Sequence, residues 1–166
     1  DTQPLYYGGL NNTISYKGFE LDFMIQYEYG RLASDGQLNF LTENGNRSFN
    51  SLRYFYENRW TTPGQITSVP RPYDAGVEPQ GVSHTSASSR QWNKVDYIRL
   101  KNVQLSYNVP TALVQRAKLS NARIYVQGTN LYTYDDFKGY DPEFFGTATG
   151  IIPQSKNYTV GIQIGL

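Results

Sequence analysis

The sequence predicts an all-β fold, an antiparallel up-and-down transmembrane β-barrel of which this chain supplies about the last five strands. Apolar and polar residues alternate with a period of two in five segments, at 8–17, 19–31, 94–109, 121–132 and 156–166. The connections between these segments are alternately short and long, as they are in membrane barrels. Aromatic residues make up 15% of the chain and charged residues only 17%. Tyr, with its apolar ring and polar hydroxyl, suits strands that pass from an apolar layer into water.

The second and the last segments alternate most clearly. One face of 19–31 is apolar or aromatic, whereas the opposite face carries Glu20, Asp22 and Glu28. In a membrane barrel the polar face would line the lumen and the apolar face would contact lipid. The residues predicted to face lipid are Phe19, Leu21, Phe23, Ile25, Tyr27, Tyr29, Tyr158, Val160, Ile162 and Ile164.

The segment 94–109 changes its alternation part-way. Its apolar residues have even numbers at Ile98 and Leu100 but odd numbers at Val103 and Leu105. An extra residue in one strand produces such a change. The sequence therefore predicts a β-bulge near Lys101–Asn102.

The connections suggest which end of each strand faces which side of the membrane. The short connections are a tight turn at Lys17–Gly18 and a compact linker at Pro110–Leu119 with one helical turn. The long ones, 32–93 and 133–155, are predicted to be extracellular loops, because barrels have short periplasmic turns and longer outer loops. Residues 1–166 would then form the C-terminal segment of a single barrel domain. A soluble β-sandwich is the alternative, but a connection as long as 32–93 is unusual in a compact soluble domain.

Composition and motifs argue against several other classes of function. The net charge is +1, and Lys and Arg show no excess that would indicate a nucleic-acid partner. The chain contains no Cys, so thiolate metal sites and Cys nucleophiles are excluded. The single His, His84, lies beside Ser83 without a Gly-x-Ser-x-Gly motif. We therefore predict no enzymatic activity, no catalytic residue, no metal site and no cofactor.

Four acidic residues near the fourth connection allow two interpretations. Asp135, Asp136, Asp141 and Glu143 could supply oxygen ligands for Ca²⁺, but they lack the regular spacing of a calcium-binding loop. A structural turn is the favoured interpretation.

The long connection 32–93 contains one predicted helix and several aromatic residues. Ser48 could cap a helix that extends to Trp60, and Pro63-Gly64 would follow its end. Aromatic rings can stack on sugar rings or contact a partner protein, so the candidate substrate- or partner-contact residues are Tyr54, Tyr56, Trp60 and Trp92. The alternative is that these rings pack the connection against the barrel.

Five short motifs also occur in a characteristic order along the chain. They are Leu5–Thr13 running into Tyr16–Phe19, Arg59–Thr61 with Pro63, Asp96–Val103 running to Tyr107–Pro110, Arg123–Leu131, and Gly139–Glu143. In order and spacing they resemble the C-terminal part of the SusC/RagA-like TonB-linked (TonB-dependent) outer-membrane transporters. The one departure is Leu166, where outer-membrane proteins usually end in Phe.

This resemblance implies a barrel of about 22 strands with a plugged lumen, in the outer membrane of a Gram-negative bacterium. It implies TonB-dependent import of oligosaccharides or oligopeptides, with TonB contacting an N-terminal part that is absent here. It also implies a SusD-like surface lipoprotein as partner. The alternative function is a soluble β-rich carbohydrate-binding or adhesion module.

Overall fold

The computed structural model describes residues 2–34, 41, 50–72, 89, 92–137, 139–143 and 152–166. Its strands form one five-stranded antiparallel sheet in the order β1-β2-β3-β4-β5, so each strand pairs with its neighbours in sequence. The bounds are β1 Tyr6–Tyr16, β2 Phe19–Ser34, β3 Trp92–Asn108, β4 Asn121–Asp135 and β5 Asn157–Gly165. The prediction of an all-β antiparallel meander is confirmed. The strands extend beyond several predicted ends, so the two long connections span 35–91 and 136–156.

The turn between β1 and β2 is as tight as predicted. Tyr16 pairs with Phe19, and the two residues between them, Lys17 and Gly18, have φ angles of 47° and 87°. Two successive positive φ angles are typical of a two-residue hairpin turn whose twist matches that of the strands. The Asn108 amide donates a 2.8 Å hydrogen bond to the Gly18 carbonyl, which joins this turn to the end of β3.

Two bulges interrupt the pairing of β2 with β3. Met24 pairs with Asn102 while Ile25 pairs with Leu100, so Lys101 is the extra residue and the predicted bulge is confirmed. The second bulge lies between Glu28 and Arg31 and was not predicted from the alternation of residues. At its centre Gly30 has a φ of 83°, which glycine adopts readily, and its amide donates a 2.7 Å hydrogen bond to the Asp96 carboxylate.

The two faces of the sheet differ in chemistry across all five strands. One row of paired residues is wholly apolar: Ile14, Leu21, Leu105, Val126 and Val160. A neighbouring row on the opposite side is wholly polar: Thr13, Asp22, Gln104, Gln127 and Thr159. We call these sides the apolar face and the polar face.

The apolar face is exposed in this chain, whereas the core lies on the polar face. Val160 is 75% exposed and Ile14 is 54% exposed, because nothing in the described part of the chain covers that side. The largest cluster of buried apolar residues lies near the ends of β2 and β3 that adjoin the long connections. It contains Ala33, Val95, Tyr97 and Phe137.

The connections contain the short helices α1, which spans Arg53–Asn58, and α2, which spans Thr111–Arg116 within the linker where one helical turn was predicted. The predicted helix from Ser48 to Trp60 is wrong in extent: residues 50–52 are not helical, and Ser48 itself lies outside the described residues. The helix ends at Asn58 because the next residues pair with another segment. Arg59 bridges to Val69, and the Trp60 amide donates to the Val69 carbonyl at 2.9 Å.

Among the described residues, neither these helices nor any other is long and apolar enough to cross a membrane.

Candidate functional site

The polar face holds a cluster of charged residues near the long connections, and its centre is the pair Arg99–Asp141. Arg99 lies on β3 opposite Thr133, whose hydroxyl accepts a 2.8 Å hydrogen bond from Arg99 Nε. The same guanidinium donates through Nη2 to Asp141 Oδ1 at 2.7 Å. The side chains of Arg99 and Asp141 are only 4% and 3% exposed. The pair therefore joins β3 to the connection after β4 in a site that water barely reaches.

Asp141 also binds the backbone on both sides of residues 144–151. Its Oδ1 accepts a 3.0 Å hydrogen bond from the Glu143 amide, and its Oδ2 accepts one of 3.0 Å from the Gln154 amide. Burial by itself would raise the pKa of this carboxyl. The backbone hydrogen bonds from Gln154 and Glu143, together with Arg99, outweigh burial and hold the pKa below its ordinary value. Asp141 is therefore a charged anchor for the connection.

Glu143 and Lys101 enlarge this anchor. Glu143 Oε2 lies 3.1 Å from Arg99 Nη1 and 2.7 Å from Lys101 Nζ. Lys101 Nζ also donates to Gln154 Oε1 at 3.2 Å, and the Gln154 amide group donates to Glu143. Lys101 is the bulged residue of β3, so the bulge places its ammonium group at the connection.

Arg31 ties the same segment to β2. Its Nη2 donates a 3.1 Å hydrogen bond to the carbonyl of Pro142, and its Nε lies 2.5 Å from Glu28 Oε1. Arg31 and Glu28 face the same side of the sheet because the bulge between them shifts the alternation. We call Glu28, Arg31, Arg99, Lys101, Asp141 and Glu143 the anchor cluster.

The charges of the anchor cluster balance. It contains three cations and three carboxylates, and each buried charge has an opposite charge within salt-bridge distance. Breaking such a buried pair is costly, since the remaining charge would be left desolvated. The cluster therefore holds residues 139–143 and 154 against the polar face of β2 and β3.

The arrangement favours the turn interpretation of the acidic residues over calcium binding. Asp141 and Glu143 already face Arg99 and Lys101, whose positive charges would repel a metal ion. Asp135 accepts a 3.0 Å hydrogen bond from the Phe137 amide, which is a local turn contact. Within the ranges that the structure describes, no group of three His, Asp or Glu side chains could hold a metal ion. His84 lies outside these ranges.

A second, smaller set of charges lies on the polar face near the short turns. Arg123 on β4 donates through Nη2 to Glu20 Oε1 on β2 at 2.6 Å, and the same nitrogen lies 4.0 Å from Asp22 Oδ2. The guanidinium reaches across β3 because the residue opposite Glu20 is the small Ser106, whose hydroxyl accepts a 2.8 Å hydrogen bond from it. The acidic residues that the sequence placed on the inner face thus have a cationic partner two strands away.

The ten residues predicted to face lipid all lie on the apolar face, as the register with the row Ile14–Val160 shows. Aromatic rings gather at both ends of that face. Phe19 and Tyr107 lie 4.6 Å apart near the short turn, and Tyr6 and Tyr29 stack at 6.4 Å near the opposite end.

The four aromatic contact candidates are not brought together as one group. Tyr54 and Tyr56 project from α1 and are 57% and 65% exposed, whereas Trp60 is half-buried beside Val69. The Arg59 guanidinium lies 3.9 Å from the centre of the Tyr56 ring. Trp92 is the first residue of β3 and not part of the connection. The residue that anchors α1 is Phe55, at 4% exposure, which the sequence analysis missed.

The comparisons with known proteins agree with this architecture. No family model matches the chain. Over 99% of its length it is 30% identical to TonB-dependent receptor P3 of Formosa agariphila, and it is 32% identical over 90% of its length to TonB-dependent receptor P26 of the same organism. The chain matches a segment of the TonB-dependent receptors. It spans only 16% and 15% of those two relatives.

Solved structures match the chain over the same length. The RagAB peptide importer in its closed-closed state matches 99% of the chain with a TM-score of 0.78 and 30% identity, and the chain covers 18% of it. The open-open state matches with a TM-score of 0.73, again over 99% of the chain, at 30% identity and 17% of the neighbour. The predicted SusC/RagA-like resemblance and barrel fold are confirmed. The names of these relatives describe receptors and importers and not enzymes.

Proposed function

We propose that this chain forms one part of the wall of an outer-membrane barrel that imports nutrients in a TonB-dependent manner. The apolar face contacts lipid, the polar face lines the lumen, and the connections 35–91 and 136–156 lie on the extracellular side. In this arrangement residues 1–166 are the C-terminal segment of one barrel domain.

The observation that carries this proposal is the uncovered apolar face. Apolar residues predominate at alternate positions of all five strands, and those of β5 are among the most exposed, with Ile162 at 65% and Val160 at 75%. A soluble carbohydrate-binding or adhesion module would have to cover such a face, because a large contiguous apolar surface marks an interface or a membrane. Lipid contact accounts for the face without a second layer.

The edges of the sheet support the same proposal. In the described part of the chain, β1 and β5 each pair with a strand on one side only. An open edge in the hydrocarbon layer leaves backbone groups without hydrogen-bond partners, at a cost of several kcal/mol for each group. We therefore propose that further strands of the same receptor pair with both edges and close the barrel.

The polar face suits a water-filled lumen. Its charges are paired in the anchor cluster and around Arg123, so the wall is polar but close to neutral. The anchor cluster holds residues 139–143 against the polar face, near the ends of the strands that adjoin the long connections. In the proposed orientation this segment narrows the extracellular vestibule. The substrate proposed to pass it is an oligosaccharide or an oligopeptide.

The partners follow from the same proposal. TonB would contact a part of the receptor outside this chain, and a SusD-like surface lipoprotein would cover the vestibule. We propose the exposed rings of Tyr54 and Tyr56 on α1 as contacts for substrate or lipoprotein, with Trp60 and Trp92 as further candidates.

The orientation of the sheet is tested by a pair of adjacent substitutions in the complete receptor. Phe23, on the apolar face, and Met24, on the polar face, lie at nearly the same height on β2 and are both half-buried. Phe23→Arg should cost about 2–4 kcal/mol of stability in the membrane, because a charge would face the middle of the bilayer. Met24→Arg places the same charge in the lumen and should be tolerated.

The measurement is the fraction of receptor in outer membranes that shows the heat-modifiable gel mobility of a folded barrel. A large loss for Phe23→Arg with near-normal folding of Met24→Arg would support the proposal. Equal folding of both variants, or a greater loss for Met24→Arg, would contradict the proposed orientation.

A further inference from the structure

The end of the sheet that carries the short turns is positively charged. It has Lys17 in the β1–β2 turn, with Arg116 and Lys118 in the linker between β3 and β4. Neither residues 16–19 nor residues 107–120 contain an Asp or a Glu. We call Lys17, Arg116 and Lys118 the turn-end cations.

The two connections that carry these cations lie side by side. The hydrogen bond from the Asn108 amide to the Gly18 carbonyl holds the hairpin turn against the start of the linker. The Val109 amide then donates a 2.9 Å hydrogen bond to the Ala122 carbonyl, which keeps the linker close to the end of β4. The three cations therefore belong to one rim of the sheet.

The rim adjoins an aromatic band on the apolar face. The last row of paired residues before the turn is Tyr16, Phe19, Tyr107, Ile124 and Ile162. Lys17 Nζ lies 5.1 Å from the centre of the Tyr16 ring, so the ammonium group sits at the border between this band and water. Aromatic rings with Lys or Arg beside them are typical of the level of lipid headgroups.

The linker presents its two cations to solvent. Val114 of α2 is buried at 4% exposure, while Arg116 in the last helical turn and Lys118 just after it are both exposed. Lys118 has a positive φ of 60°, at the point where the chain leaves the helix, and its amide donates to the Gln115 carbonyl at 3.0 Å. Burial of Val114 thus fixes the helix while the long cationic side chains remain free to extend.

The turn-end cations differ from the strand cations of this chain in having no carboxylate nearby. Arg123, at the same end but on the polar face, is paired with Glu20, and Lys94, at the opposite end, lies 3.4 Å from Asp96. Within the described ranges, none of the turn-end cations has an Asp or Glu within salt-bridge distance. Among the residues described, the three turn-end cations are therefore not neutralised by a paired carboxylate.

We propose that the turn-end cations bind the phosphate groups of anionic phospholipids in the leaflet that adjoins the short turns. This inference rests on the proposed membrane orientation and adds a specific lipid partner to it. Charge complementarity selects an anionic over a zwitterionic headgroup, since each Lys or Arg near a membrane surface attracts anionic lipid. The aromatic band positions the acyl chains while the cations contact the headgroup.

The test compares lipids retained by the complete receptor, purified from mixed micelles with equal phosphatidylglycerol and phosphatidylcholine and examined by native mass spectrometry. The receptor should retain phosphatidylglycerol with a preference of about tenfold or more, given the attraction of three cations. The triple variant Lys17→Gln, Arg116→Gln, Lys118→Gln should reduce the preference nearly to unity. The matched control Lys156→Gln neutralises an exposed cation at the opposite end and should leave the preference unchanged.

Two further arms separate the alternatives. The double variant Lys17→Arg, Lys118→Arg keeps both positive charges and should therefore keep the preference for anionic lipid. If the lysines had only a structural role, this variant would not be expected to keep the preference. Inorganic phosphate at matched ionic strength should not displace the lipid; displacement would mean that the rim binds phosphate from any source and would overturn the lipid assignment. A preference retained by the triple variant would overturn the proposal as well.

The failure of this inference is distinguishable from failure of the proposed function. If the Phe23 and Met24 variants show the proposed orientation but the receptor has no anionic preference, only the lipid site is wrong. If the orientation itself fails, both proposals are wrong.

Discussion

Replacement of Asp141 by Ala should release the connection after β4 from the polar face of the sheet. Asp141 accepts three hydrogen bonds, from Arg99 Nη2, from the Glu143 amide and from the Gln154 amide. The substitution removes all three and leaves the Arg99 guanidinium buried. Glu143, 3.1 Å from Arg99 Nη1, remains as its carboxylate partner.

The size of the effect follows from burial. Removing one member of a buried ion pair costs about 3–5 kcal/mol, because the remaining charge stays desolvated. Since Glu143 still neutralises Arg99 in part, the lower end of that range, about 3 kcal/mol, is expected. This free energy opposes opening of the segment and not unfolding of the whole barrel, and it corresponds to about a hundredfold change in the opening equilibrium.

Hydrogen exchange at the amides of Glu143 and Gln154, followed in the complete receptor by mass spectrometry, measures that opening. Asp141→Ala should accelerate exchange of both amides about a hundredfold if local opening controls the rate. Asp141→Asn keeps a side-chain oxygen that accepts hydrogen bonds and should have a smaller effect. Asp136→Ala is the control, because Asp136 lies in the same connection but takes no part in the anchor cluster. In this variant the amides of Glu143 and Gln154 should exchange at the wild-type rate. Unchanged exchange in Asp141→Ala would refute the assignment of Asp141 as the anchor.

Three further outcomes are expected. The anchor should weaken in acid, because the pKa of Asp141 is lower in the folded protein than in the unfolded chain. The stability that Asp141 contributes is fully present above the ordinary pKa of about 3.9 and is lost as the pH falls through the folded value. Hydrogen exchange of the anchored amides, measured against pH, will show this loss. Gly30→Ala should lower the stability measured by thermal unfolding by about 1–2 kcal/mol, because φ is 83° at this position. Gly9→Ala is the control: Gly9 has extended backbone, so the substitution should be nearly neutral. Equal effects of the two substitutions would contradict the bulge geometry. Gly161→Ala should cost about 1–3 kcal/mol, because a Cβ atom there would overlap the Tyr125 ring. Adding Tyr125→Ala should recover part of that loss; strict additivity of the two substitutions would mean that the residues do not touch.

Alternation along the strands was sufficient to predict most of the sheet. Side chains on a strand point to opposite faces in turn, so the apolar parity of β2 and β5 predicts both the strands and their exposed face. The same rule found the bulge at Lys101, because apolar residues on both sides of it revealed the shift. The bulge at Gly30 escaped notice because Glu28 and Arg31 are both polar and the predicted strand ended at Arg31, before Leu32 could reveal the change of parity.

The anchor cluster could be predicted only in part. The spacing of Asp141-Pro142-Glu143 indicated a turn, and the turn interpretation agrees with the contacts of Asp141. The partner of Asp141 is Arg99, 42 residues away along the chain, and local pattern carries no information about a contact at that distance. The helix over 48–60 was overestimated for a similar reason, since the Arg59–Val69 bridge that ends it is a tertiary contact.

The unequal connections of the sheet imply an order in which the strands come together. β1 and β2 are joined by a two-residue turn, whereas β2 and β3 must close the connection 35–91. Loop-closure entropy grows as the logarithm of loop length, so the longer closure costs about 3 kcal/mol more than the turn. The hairpins β1–β2 and β3–β4 are therefore expected to form first and to meet afterwards. The pairing that unites them joins the two longest strands, of 16 and 17 residues, and this long ladder offsets the entropy of the late closure.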